Sequence, residues 1–194
     1  NRGGNLLLTQ NRIKTDLSIQ QANPIVSDIF SVLESFGIKI ASNLVLDQNC
    51  GKVNVQQNLG FLRIPIPMDY PFLPIIKKEN FNDEITMVSG LEALRLMFPS
   101  EIIFYDTSLF NDNAAVTPLF NSSNRSTIME EFFNLSPDPQ QNPSFRQLNE
   151  VGKILGALVQ QTNIATGVVS QLILVSDSKF MMDDGGGGAP ENHI

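Results

Sequence analysis

Apolar residues come mostly in short runs bounded by polar residues or glycine, and one stretch repeats them cleanly at helical spacing. In "NPIVSDIFSVLESFG" (23–37), Ile25, Ile29, Val32, Leu33 and Phe36 fall on one face, with Pro24 near the start and Gly37 as the stop. That spacing predicts a helix. "GGNLLLTQ" (3–10) predicts a buried strand entered from a turn, and "IKIASNLVLD" (38–47) extended structure. "EIIFYD" (101–106) and "QLILV" (171–175) read as further strands, the last followed by "SDS" and a helix start, while "GKILGALVQQ" (152–161) fits helix or strand, its glycines and Ile-Leu and Leu-Val pairs favouring a buried strand. Residues 114–132 predict a strand, a polar loop and a short helix, and 85–97 a short extended or helical stretch.

Residues 53–76 behave differently. "FLRIPIP" alternates, and prolines at 65, 67, 71 and 74 exclude a helix or a central strand, so an edge-stranded arm or hairpin packed on the main body is expected. Residues 134–149, with three prolines, read as a loop and as a candidate for disorder. No repeat is visible. Strands alternating with helices imply one layered α/β domain spanning 1–194.

Charge removes one class of function. The chain of 194 residues carries 13 Lys and Arg against 20 Asp and Glu, a net charge of −7, and its basic residues are scattered. Nucleic-acid binding needs clustered cations, so it is not expected. No apolar run reaches the length of a membrane span. "NRGGNLLLTQ" has neither an initiator Met nor a charged-then-apolar leader, which predicts an excised piece of a longer protein.

The single cysteine, Cys50, rules out an internal disulfide and a multi-cysteine zinc site. A cysteine nucleophile needs a strained strand-to-helix elbow and a nearby base. Here only Gly51 suits an elbow, extended structure follows, and the sole histidine, His193, stands in the penultimate position. A turn cysteine is the simpler reading. "DGGGG" (184–188) lacks the Lys-Ser/Thr of a phosphate loop and reads as a flexible connection. No metal ligand set, cofactor motif or catalytic residue is predicted.

"LVSDSKF" (174–180) is the most site-like stretch. Ligands of open α/β sheets bind beyond the carboxyl ends of strands, where Ser176, Asp177 and Ser178 would project, and Asp47 and Asp106 end their own strands in the same way. Capping of free backbone N–H groups is the competing local role for such residues. Asn121, Asn124 and Asn134 each match N-x-Ser, as expected by chance in a chain with 19 Asn. For partner contact the arm offers Phe61, Ile64, Ile66, Tyr70, Phe72 and Leu73, although covering the sheet is the simpler role for any one of them.

Read together, "RGGNLLLTQ", "NPIVSDIFSVLESFGIKIASNLVLDQNC", "DYPFLPII" and "QLILVSDSKFMMDD" followed by "GAPENHI" resemble the extracytoplasmic domain of ABC-transporter auxiliary proteins. They resemble in particular the gliding-motility-associated (GldG) type from Bacteroidetes. The resemblance implies a three-layer α/β/α fold with a mostly parallel sheet, flavodoxin-like or amidotransferase-like but without amidotransferase chemistry. It also implies a structural Cys50 and no cofactor. The domain would stand outside the cytoplasmic membrane, anchored by flanking segments, beside an ABC ATPase and a permease-type membrane subunit. The 134–149 connection and the "DGGGG" run depart from that pattern. Two other expectations remain: a hydrolase or amidotransferase relative using Cys50, and a small-sugar or metabolite site near Asp177.

Overall fold

The computed structural model describes residues 3–105 and 114–181. In chain order these form β1 (Gly4–Thr9), β2 (Ile13–Asp16), β3 (Gln21–Pro24), α1 (Ile29–Ser35), β4 (Ile38–Ile40) and β5 (Asn43–Asp47). Then follow β6 (Cys50–Leu59), β7 (Leu62–Lys77), β8 (Ala93–Arg95), β9 (Ile102–Phe104), β10 (Ala114–Asn121), β11 (Ser126–Glu130), β12 (Ile154–Thr162) and β13 (Val169–Val175).

This overturns the three-layer α/β/α expectation, flavodoxin-like or amidotransferase-like. Among the described residues 50% are strand and 8% helical, with mixed and antiparallel sheets. The largest sheet has the order β1-β13-β12-β10, and only β1–β13 is parallel. Parallel neighbours need a crossover of about a dozen residues or more, usually helical. Only residues 163–168 join β12 to β13, and Asn163 closes that turn by accepting from Ala165 and Gly167.

The helix is shorter than its spacing predicts. Ile13 pairs with Pro24 and the Ile25 N–H donates to the Arg12 carbonyl at 2.8 Å, so Pro24 ends a strand. Gly37, at φ 80°, stops the helix in the left-handed conformation that glycine tolerates. Phe30 and Leu33 are buried, whereas Val32, expected on the buried face, is 48% exposed. Two further expectations are corrected. β1 is an edge strand with Leu6 and Leu7 exposed, and Ser126–Glu130 is a strand paired with β5 instead of a helix.

Three apolar clusters form the interior. One packs α1 against the largest sheet through Phe30, Leu33, Val159 and Leu174. A second gathers Val45, Phe81, Phe120, Leu155 and Val175. The third joins Tyr70, Phe72, Phe98 and Leu135 under the root of the β6–β7 pair. Residues 134–149 are irregular but fixed by their own hydrogen bonds. The buried Asn142 amide donates to the Asn134 carbonyl at 2.8 Å, and the Asn134 amide donates to the Gln141 carbonyl at 2.7 Å. The candidate disorder there is thus replaced by a side-chain-stapled loop.

Candidate functional site

At the carboxyl ends of the parallel pair, the candidate ligand residues are already engaged. The Asp177 carboxylate is buried and accepts from the Met97 N–H at 2.7 Å and from the Lys179 N–H at 2.8 Å. Ser178 donates from its N–H and its hydroxyl to the Asn11 Oδ1, at 2.9 and 2.6 Å, and Asn11 Nδ2 donates to the Phe98 carbonyl at 3.1 Å. The Ser176 hydroxyl, buried, donates to the Leu155 carbonyl at 3.2 Å. Burial pushes the Asp177 carboxyl up to about 6, against the opposing pull of its two N–H donors.

Asp47 repeats the construction at the end of β5. It accepts from the Asn49 N–H at 2.8 Å and from both the N–H and hydroxyl of Ser123, at 2.5 and 2.7 Å. Burial raises its carboxyl too, opposed by the Ser123 bonds. Each aspartate makes a turn with the residue two positions on and clamps one distant loop. Both aspartates therefore cap backbone N–H groups, on loops and not on a helix. No partner is shared between the two sites. A cavity of about 260 Å³ adjoins Asn11 and Ser178, with Lys14 and Lys179 on its lining.

Cys50 starts β6, opposite Pro74, and is half-buried. Burial, with the Asp69 carboxylate as the next cause, pushes its thiol up to about 11, away from the thiolate that a nucleophile needs. His193, Asp106 and the "DGGGG" run lie outside the described residues.

The arm has unspent surface. β6 and β7 pair from Lys52–Asp69 out to Leu59–Leu62, closed by Gly60 and Phe61, with Gly60 at φ 68° in the first central position of the turn. Ile64 stands opposite Gln57, Ile66 opposite Val55 and Met68 opposite Val53. Directly opposed residues project to the same side, so these apolar side chains share one face. Arg63, Pro65, Pro67 and Asp69 lie on the other, with Asn54 and Gln56. Phe61 is 95% exposed at the tip, and Ile64 and Ile66 are 42% and 37% exposed.

The contact candidates therefore divide. Tyr70 and Phe72, at 3% and 0% exposure, belong to the interior. Between Cys50–Pro74 and Lys52–Asp69 the register shifts, and Tyr70 and Phe72 turn into an aromatic group with Phe98 and Phe145, edge-to-face except where Phe72 stacks on Phe98. Phe61, Ile64 and Ile66 remain available.

Sequence reasoning missed a larger cavity, of about 420 Å³, between the Lys78–Asn80 turn and the β10–β11 loop. Asn80, Asn82, Asn121, Asn124 and Ser122 line it, and most of their amides and hydroxyls bind nearby backbone. The Asn richness of the chain was its only signal, too diffuse to locate a cavity.

The described residues form a β-rich unit whose strand-end loops are clamped by buried aspartates. The chain belongs to a family of ABC transport auxiliary proteins, described as "ABC-type uncharacterized transport system", whose sequence model matches residues 1–191. No curated protein and no solved structure matches it significantly. Among the described residues no helix is long and apolar enough to cross a membrane.

Proposed function

We propose that this chain is a non-enzymatic binding or assembly domain of an ABC-type transport complex, of the gliding-motility-associated kind. It acts on the extracytoplasmic face and is anchored through other segments of its parent protein. Its partners are the ABC ATPase and, in direct contact, the permease-type membrane subunit. Family membership supports the transport setting, and the motif resemblance supports the gliding-associated type.

The observation that carries the contact reading is the exposed apolar face of the arm, with Phe61 at its tip. Exposed apolar faces of this kind are characteristic of interaction sites. The strand-end aspartates, by contrast, have spent their oxygens on backbone donors.

The test is co-purification from gently solubilised membranes with the tagged full-length parent. The wild type is expected to bring down an ABC ATPase and a multi-span subunit, and Ile64→Ser with Ile66→Ser to lose the multi-span subunit. Equal recovery with the double variant sinks the arm as the contact. Recovery of the protein alone, from a soluble fraction, sinks the transport-complex reading.

A further inference from the structure

The two long edges of the arm are chemically unlike. In a two-residue hairpin the pair flanking the turn exchanges both backbone hydrogen bonds, and bonded and non-bonded pairs alternate from there. Counting from Leu59–Leu62, the pairs Gln57–Ile64 and Val55–Ile66 are bonded, whereas Gln56–Pro65 and Asn54–Pro67 are not. In the non-bonded pairs the main-chain groups point outward. Proline has no N–H, so Pro65 and Pro67 remove two consecutive outward donors from the middle of β7 and leave that of Arg63 beside the turn.

On the β6 side, residues 53–59 read "VNVQQNL", with no proline, glycine or charge. Among the described residues β6 is an edge strand that pairs only with β7. Natural proteins guard such edges with lysine, proline or bulges; on β6 Lys52 and the register shift beside it stand at the base, and residues 53–59 carry none of these.

We infer that the open β6 edge of the arm pairs antiparallel with the same edge of a second copy of this chain. The register that overlaps all of residues 53–59 sets Gln56 opposite Gln56 of the second copy, with Val55 opposite Gln57 of the second copy. Outward main-chain groups then meet outward groups, and no charged side chain meets its like. That absence matters because each copy carries a net charge of −7, so the two repel overall. The register also leaves the Ile64–Ile66 faces of both copies on the same side of one four-stranded ribbon, doubling the apolar surface offered to the membrane subunit.

A seven-residue edge buries less than the roughly 1,200 Å² of a stable interface, so the dimer is reversible, with a dissociation constant in the micromolar range. The added use of the apolar face rests on the function proposed above; the pairing itself does not.

Sedimentation equilibrium of the chain tests it. The expected result is a species of twice the 21.4 kDa chain mass, tightening as salt screens the repulsion. Gln56→Lys and Gln56→Glu, at an exposed position, are each expected to be monomeric, with circular dichroism showing the fold intact. Their equimolar mixture restores the dimer. A wild type that stays monomeric to about 100 µM overturns the inference, and so do single variants that dimerise like the wild type. A monomeric wild type whose membrane partner is still lost with Ile64→Ser and Ile66→Ser overturns the pairing and leaves the proposed function standing. A dimer whose partner recovery ignores those substitutions does the reverse.

Discussion

The Tyr70 hydroxyl donates to the Leu135 carbonyl at 2.7 Å, both groups buried, and so ties the foot of the arm to the 134–149 segment. Tyr70→Phe leaves that carbonyl without its donor and is expected to cost about 1–3 kcal/mol. Tyr70→Ala also opens a cavity beside Phe72 and Phe98 and is expected to cost about 3–5 kcal/mol. Urea unfolding followed by circular dichroism measures both. A Phe variant as stable as the wild type would show that the bond contributes nothing net.

Asp177 makes stability depend on pH in a definite direction. Its folded carboxyl titrates at about 6, above the ordinary 3.8, so the folded state holds the proton more tightly than the unfolded chain. Its contribution is fully present below about pH 4 and is lost as pH rises through about 6. The slope across that window is at most about 1.4 kcal/mol per pH unit. Asp177→Asn removes the titration, so the wild-type-minus-variant difference in unfolding free energy is expected to fall between pH 4 and 6 and then level off. A flat difference contradicts the buried-carboxyl account.

The Cys50 thiol, raised from 9.0 to about 11, holds about a hundredfold less thiolate at neutral pH than a free cysteine. Iodoacetamide at pH 7.5 is expected to modify it correspondingly slowly. Asp69→Asn, which removes the neighbouring negative charge, is expected to speed the reaction. Rapid alkylation of the wild type at neutral pH would reopen the question of a nucleophile.

Gly156 lies where any Cβ would overlap the Phe120 ring. Gly156→Ala is expected to destabilise by about 1–3 kcal/mol through overpacking. Phe120→Leu in the same chain is expected to recover part of that loss, since it withdraws the ring edge. A double-mutant cycle in urea reads the coupling, and additive losses would place the strain elsewhere.

Local patterning located many strands, because an apolar run between polar residues marks β5, β12 or β13 wherever each ends up pairing. Its partner is another matter. The local pattern of Ser126–Glu130 predicts a helix because its strand character comes from Asp47 and Leu46 across the β5 register, far away in the chain. Pro24 looked like a helix start until Ile13 supplied a neighbouring strand. The same division holds at the candidate sites. That Asp47 and Asp177 end strands is visible in sequence. That they clamp Ser123 and Met97 is not, since the Met97 donor lies 80 residues away. In the arm, the prolines spoke directly, because a missing N–H is a property of the residue itself.

Pro65 and Pro67 also bear on how far any strand pairing by the arm can spread. An edge open on both sides behaves as a bifunctional monomer and propagates into fibres. This hairpin is monofunctional: once the β6 side is occupied, only the proline-capped side remains, and chain growth terminates there. Restoring both donors, with Pro65→Thr and Pro67→Thr, would turn a self-limiting unit into a polymerising one.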